Sequence, residues 1–356
     1  MRIEQQEQNR ADRVEDGRED DMDLYSVGEM VIDFIPETEE GVYSRNAGGA
    51  PANVAIAASR NGLDAGMCCR VGDDDFGRFL MHTLWEEGVC VLCTDLCEEA
   101  ITTMAFVTLD EKGERSFTFV RKPGADMMLR PQDIREEDIR SSVIVHAGSC
   151  SLSARPAADA TVKALRLGRE MGKIVSFDVN YRNLQWNDDA ALCAEAVKGI
   201  LPYVDLLKIS EEEADMLGGE AALPGLMRDS SLTAVIETLG PAGARVFFQD
   251  RMFAVPGRKA NAVDTTGAGD AFWGGFLSSL ILQDVMLPSQ ITEAVLKKAM
   301  LYGNVSGALC VEKKGAITSL PTREEVEAIL AGDGRPEPAQ ILCTDTEIDH
   351  GQHNLE

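Results

Sequence analysis

The chain has 356 residues, 44% of them apolar, which is ample for one large α/β core, and no apolar run reaches the roughly 18 residues of a membrane span. Its formal net charge of −26, from 60 acidic and 34 basic side chains, argues against nucleic acid and anionic lipid as partners. Residues 1–23 and 331–356 each carry −5, so the body keeps −16, and an anionic substrate needs a local positive site or a metal ion.

Nine scattered cysteines, an odd number, follow a start without an apolar signal region, Met1-Arg2-Ile3-Glu4-Gln5-Gln6. The expectation is a cytoplasmic protein with reduced thiols. Residues 1–22 are charged and Gln-rich and read as a disordered acidic extension. Leu24 to Ile35 reads as a first strand, with Asp33 near its C-terminal end. Residues 36–46 are polar with interspersed Val42 and Tyr43. Gly48-Gly49-Ala50-Pro51 is a tight turn into a helix from Ala52 to Arg60, which Asn61-Gly62 ends.

A strand at 67–71 and a helix at 76–87, closed by Gly88, come next. Residues 89–93 read as a strand carrying thiols. Cys90-x2-Cys93-x3-Cys97, with His82 as the nearest fourth ligand, has a competing zinc reading, which the alternation of Val89, Val91 and Leu92 disfavours. Strands at 102–109 and 116–120 are joined by Asp110-Glu111-Lys112-Gly113, a hairpin signal. Strands at 143–147, 173–178, 205–209, 233–237 and 244–248 then alternate with helices at 157–170 and 188–199. Helices at 269–282, 291–309 and 322–330 follow, and from 333 onward periodicity is lost, as in a disordered tail. Such alternation marks a mostly parallel sheet covered on both faces. The hairpin strands and residues 36–46 fall outside the pattern and point to a small separate sheet.

Asp264-Thr265-Thr266-Gly267-Ala268-Gly269-Asp270 opens the helix at 269–282. Small residues at a helix start let an anion approach backbone N–H groups and the positive end of the dipole. Asp270 sits just inside that end, so a phosphoryl site adjoins a proton acceptor. Asp33, Asp178 and Glu213 fall past strand ends, where open α/β sheets bind ligands. Each also has an ordinary reading as a turn or cap residue.

Two motifs carry a resemblance to the ribokinase-like sugar kinases, the PfkB carbohydrate kinase family, over residues 24–330. Gly48-Gly49-Ala50-Pro51-Ala52-Asn53-Val54-Ala55 is similar to its N-terminal signature and Asp264–Asp270 to its C-terminal one. The resemblance implies a three-layer α/β/α fold over 23–332, with a mostly parallel central sheet and a small β lid from about 36–46 and 102–120. It implies Asp270 as catalytic base, and Gly267, Ala268 and Gly269 as anion hole. Asp33, Gly48, Gly49 and Asn53 would bind sugar. Thr238, Gly240 and Gly243, in Thr238-Leu239-Gly240-Pro241-Ala242-Gly243, would bind ATP, with Asn304 facing adenine. Glu213 would act on Mg2+ through water, although Ser210 replaces the amide of the family's NxxE motif. Asp264, Thr266, Gly315 and Ser319 match a K+ loop of some members. Partners would be a small sugar and ATP, with a homodimer through the lid.

Within the family, Gly28-Glu29-Met30-Val31-Ile32-Asp33-Phe34, the 115–126 segment, His146–Leu152 and Asp178-Val179-Asn180-Tyr181-Arg182 resemble fructokinase members. Arg121 and Arg182 would then meet the substrate. A 2-keto-3-deoxygluconate kinase, another sugar kinase and a non-catalytic sugar-kinase-like binding protein stand as alternatives. A dinucleotide oxidoreductase would want GxGxxG after the first strand, where Gly28 stands alone.

Overall fold

The computed structural model describes residues 22–37, 41–109, 115–121 and 123–332. The extension, the tail beyond Gly332 and the 110–113 turn lie outside the described residues, except that Met22 opens the first strand.

Nine strands form the main sheet: β1 (Met22–Val27), β4 (Ala65–Cys68), β5 (Cys90–Val91), β8 (Ser142–Gly148), β9 (Ile174–Asp178), β10 (Leu206–Ser210), β11 (Ala234–Thr238), β12 (Gly243–Phe248) and β13 (Arg251–Pro256). Their order is β13-β12-β11-β10-β9-β8-β1-β4-β5. All pairs are parallel except β11–β12 and β12–β13. Strand residues of opposite parity feed two cores, as burial on both faces requires. Leu24, Ile144, Ile174, Leu206 and Ile236 face one core. Tyr25, Val145, Val175, Leu207 and Val235 face the other.

The first core is closed by α1 (Ala50–Arg60), α2 (Asp75–Glu86), α8 (Ala268–Ile281) and α9 (Glu293–Val311). The second is closed by α3 (Glu136–Arg140), α4 (Ala157–Glu170), α5 (Ala190–Ile200), α6 (Glu211–Met216) and α7 (Leu223–Asp229). The last helix, α10 (Arg323–Gly332), packs its Val326 with Tyr302 and Val305 of α9. Among the described residues no helix is long and apolar enough to cross a membrane.

The second sheet holds β2 (Val31–Pro36), β3 (Tyr43–Gly48), β6 (Met104–Leu109) and β7 (Arg115–Val120), in the order β3-β2-β6-β7. The expected first strand, 24–35, is therefore two strands in two sheets. The break is at Gly28, whose φ of 152° and closeness to the Pro51 ring admit no side chain. The apolar run continues through the break, so hydropathy hides it. Asp33 accordingly stands on the lid and not at the edge of the main sheet. Strand β13 was not expected; it returns on β12 through Gln249, which adopts a positive φ of 54°.

Helix α8 is buried almost all round, from Asp270 to Ile281. Trp273 Nε1 donates to Ser176 Oγ of β9 at 2.9 Å, and Ser176 Oγ lies 3.0 Å from His146 Nδ1. Burial holds the His146 imidazole down to about 4, so it is neutral. On its other sides α8 is pinched between helices through glycines. A Cβ on Gly274 would collide with Ala57 of α1, and one on Gly275 with Ser306 of α9. Gly274→Ala is expected to push α1 from α8, lowering stability by about 1–3 kcal/mol in denaturant melts.

Candidate active site

Helix α8 starts after Gly267, whose φ of 79° is left-handed and where a Cβ would crowd Ala316. The backbone thus turns sharply before the helix dipole begins. The Ala268 N–H turns back to Thr265 O at 3.2 Å. Two residues further in, Asp270 is 7% exposed, and its Oδ2 accepts from Asn53 Nδ2 of α1 at 2.7 Å. The two signature motifs, 217 positions apart, therefore meet in one buried hydrogen bond. Asn53 Oδ1 is buried without a partner among the described residues.

Asp33 lies opposite Asn46 in the β2–β3 ladder. Gly48 permits its position, since a Cβ there would collide with Asp33 Oδ2. Burial, with Asp270 adding, pushes the Asp33 carboxyl up to about 6, against the opposing pull of Arg182. Burial, with Asp178 adding, raises Asp270 to about 6 also, while Asn53, Arg182 and Lys208 oppose. Asp33 and Asp270 therefore share one field although one is on a lid strand and the other on α8. Arg182 caps this field from an exposed position, its Nη1 3.4 Å from Tyr181 O.

Lys208 was missed by sequence reasoning. Only 6% exposed on β10, it donates to Asp178 Oδ1 at 2.9 Å and Oδ2 at 2.8 Å. Its Nζ lies 3.5 Å from where a Cβ of Gly269 would stand. Burial alone would lower it, but Asp178, Glu213 and Asp270 outweigh burial and hold it above the ordinary lysine range. It is a buried cation beside the glycine loop of an acidic protein. The signal was available: a lysine inside the apolar run Leu206-Leu207-Lys208-Ile209 needs a buried partner. Asp178 thus has its ion-pair partner in Lys208.

Glu213 accepts from Tyr181 N at 2.6 Å and from Ser210 N at 2.8 Å. Ser210 Oγ accepts in return from Glu213 N at 3.2 Å. The serine that replaces the amide is thus half of a capping box.

Thr238 ends β11, and its Oγ1 donates to Ile209 O at 3.3 Å. Gly240 (φ 53°) and Gly243 (φ 104°) form the turn beyond it. The Asn304 side-chain amide gives its N–H groups to β13, to Val255 O at 3.0 Å and Pro256 O at 3.1 Å. Asp264, Thr266, Gly315 and Ser319 do come together. Asp264 Oδ1 accepts from Thr266 Oγ1 at 2.7 Å, its Oδ2 from Gly315 N at 3.1 Å, and Ser319 Oγ donates to Gly315 O at 2.5 Å.

Arg121 Nη2 pairs with Asp126 Oδ2 at 2.5 Å, so its charge is already engaged inside the protein. Of the zinc candidates, Cys90 is exposed while Cys93 and Cys97 are buried, and His82 pairs with Glu86 on the surface of α2. Among the described residues no group of three or more His, Cys, Asp or Glu side chains is placed to hold a metal ion.

The family model described as pfkB family carbohydrate kinase matches residues 21–323. A probable fructokinase of Arabidopsis thaliana is 39% identical over 326 residues, covering 87% of this chain and 97% of that protein. Among solved structures, the fructokinase of Xylella fastidiosa with bound ATP superposes with a TM-score of 0.80 at 28% identity, over 88% of this chain and 99% of that one. The fructokinase of Vibrio cholerae in a fructose, ADP and calcium ion bound form gives 0.76 at 35% identity, over 87% and 99%. A double mutant of it, in a fructose, ADP and potassium ion bound form, gives 0.76 over 88% and 100%.

Asp33 and Asp270 hold protons more tightly folded than unfolded, so their ionisation withdraws stability as pH rises from about 4 to about 6. Activity that needs Asp270 ionised should fall below about pH 6. Lys208→Met should move that acid limb upward and lower kcat by roughly 10- to 1000-fold, as read from a kcat/KM–pH profile. Gly48→Ala should displace the Asp33 carboxylate and raise the KM of the Asp33-side substrate about 10-fold or more with the melting point nearly unchanged.

Proposed function

The chain belongs to the pfkB family of carbohydrate kinases, and from that premise we propose that it is an ATP-dependent fructokinase converting D-fructose to fructose 6-phosphate. The observation that carries the reading is the buried Asn53–Asp270 bond beside the glycine loop and Lys208, with Asp33 facing the same space from the lid. The 39% identity to a plant fructokinase over nearly its whole length supports the choice of sugar.

The sugar lies under the lid with its terminal hydroxymethyl at Asp270. Asn53 holds one carboxylate oxygen, which orients the other toward the hydroxyl. Asp270 takes the hydroxyl proton as the sugar oxygen bonds to the γ-phosphorus and the bond from that phosphorus to the β,γ-bridging oxygen breaks. Charge developing on the transferred group meets the start of α8 at Gly267-Ala268-Gly269 and the ammonium of Lys208. Asp33 accepts hydroxyl protons elsewhere on the sugar, and Gly48 and Gly49 let the ring approach the backbone. Gly240 and Gly243 shape the nucleotide turn after Thr238. Asn304 contributes by fixing the end of β13 beneath that turn.

The residues fit a metal that arrives on the nucleotide and is reached through water, because both Glu213 oxygens already accept backbone N–H groups. Mg2+ bound there would neutralise phosphate charge and hold the phosphates in line. The Asp264, Thr266, Gly315 and Ser319 cluster is the place for K+. The protein works in the cytoplasm, as a homodimer through the lid, whose outer strands expose Tyr43 and Val120.

An ADP-release assay over fructose, ribose, 2-keto-3-deoxygluconate and adenosine is expected to give the highest kcat/KM with fructose. Higher turnover with the sugar acid would reassign the substrate. Turnover with none would favour a binding protein. Asp270→Asn should lower kcat by roughly 100- to 10,000-fold while both KM values stay within a few-fold.

A further inference from the structure

Three polar side chains sit side by side under the helices of the first core. Ser26 of β1, His146 of β8 and Ser176 of β9 are register partners in adjacent parallel strands, Ser26 with His146 and His146 with Ser176. They are 0%, 1% and 0% exposed, beside Leu24, Ile144 and Ile174 on the same face. Polar groups at that depth need partners. Both serines find theirs overhead. Ser26 Oγ donates to Pro51 O of α1 at 2.8 Å, and Ser176 Oγ accepts from Trp273 Nε1 of α8 at 2.9 Å. His146 Nδ1, 3.0 Å from Ser176 Oγ, joins the row from the middle.

The two helices tethered here are the two that meet in the Asn53–Asp270 bond. Pro51 stands two residues before Asn53 in α1. Trp273 stands three residues after Asp270 in α8, a spacing that puts both on one face.

The spacing along α8 also matches the sheet. Ser176 pairs with Leu206, and two residues on, toward the C-terminal edge of the strands, Asp178 pairs with Lys208. Two strand residues span about 7 Å, and the four residues from Gly269 to Trp273 rise about 6 Å. Gly269 accordingly meets the upper level, where Lys208 Nζ is 3.5 Å from the place of its Cβ, while Trp273 meets Ser176 below. The start of α8 thus touches the sheet at two levels, once at a cation and once through a hydrogen bond.

That hydrogen bond adds direction to packing. Trp273 stacks on Phe276 with ring centroids 4.7 Å apart, a contact that a phenylalanine would keep. Apolar contact is not directional. The indole N–H can only donate, and its bond to Ser176 Oγ fixes how far α8 is drawn along the sheet.

We propose that Ser176 and Trp273 are positioning residues for phosphoryl transfer, their bond setting the depth of α8 so that Asp270 meets Asn53 and the reacting hydroxyl. Both are fully buried and act through Asp270 rather than on the substrate. The proposal rests on the reading of Asp270 as the base.

The test uses the full-length enzyme with fructose, ATP and Mg2+. Trp273→Phe removes the donor, Ser176→Ala removes the acceptor, and the double variant removes both. Each single variant is expected to lower the single-turnover rate of transfer, read by rapid quench, about 10- to 100-fold, with the KM of each substrate within about 3-fold. One bond is lost in every case, so the double variant should fall no more than about 3-fold below the slower single variant. Leu280→Val, in the same buried helix, is the control for lost packing. It should lower the melting point and leave the rate within about 2-fold. Trp273→Phe leaves Ser176 its contact with His146, and carries the test should Ser176→Ala not fold.

A Trp273→Phe enzyme with a lower melting point and an unchanged rate would assign the bond a structural role and overturn the proposal. So would a loss confined to KM, losses that multiply in the double variant, or an equal loss of rate in Leu280→Val. If wild type turns over no sugar, or Asp270→Asn is as fast as wild type, the reading of the base fails and the positioning role with it. If wild type is active, Asp270→Asn is slow and the two variants keep their rate, the positioning role alone fails.

Discussion

The close approach of α1 and α8 is the constraint on which the rest depends. Gly274 lets the helices touch through Ala57, and at that spacing an asparagine amide on one reaches a carboxylate on the other. A wider crossing would leave Asp270 buried with no neutral donor, and a buried carboxylate without a partner neutralises itself by taking a proton. The proposed base would then be lost at the pH where it must act. Trp273 and the Ser176–His146 pair fix α8 against the sheet from below, and Ser306 meets Gly275 from α9. The position of the Asp270 carboxylate is thus set largely by helix packing.

Electrostatics explains why so few cations suffice in so acidic a chain. Asp33, Asp178, Glu213 and Asp270 share one region, and crowding by burial and like charge raises the carboxyls of Asp33, Glu213 and Asp270. Lys208 sits inside the cluster and Arg182 at its mouth. Because Lys208 is buried, its field is not dissipated in water, and one ammonium there acts on several groups at once. The arrangement costs stability at neutral pH, as sites prepared for charge transfer commonly do.

Much of this was legible because function here is concentrated in backbone chemistry. Glycines at 48, 49, 267 and 269 and an aspartate at a helix start announce close approach and anion binding without help from the fold. The strand–helix alternation likewise announces a covered parallel sheet. What escaped were features that hydropathy does not encode. The apolar run from Leu24 to Ile35 gives no sign that Gly28 sends it into a second sheet, so Asp33 was assigned to the wrong edge. Nothing in a helix pattern predicts that Asn304 ties its N–H groups to the end of a strand. Ser210 looked like a departure, though Ser-x-x-Glu is itself a cap signal. Lys208 was passed over as one polar residue in a strand, although its burial made it the more informative one.

The sequence separation of the site has a consequence for how the protein comes into being. Asn53 waits for a residue 217 positions downstream, and Arg60 donates to Leu320 O at 2.6 Å, 260 positions on. Even β1 must wait for β8 before it has a neighbour on its second side. At ~5–20 residues per second, the interval between Asn53 and Asp270 leaving the ribosome is about 10–40 s. During that time the apolar face of α1 has no α8 to cover it, so the nascent chain exposes that surface until α8 is made. It also has no phosphate-binding loop, so no partial product of translation can consume nucleotide, and competence arrives only when the penultimate helices are made.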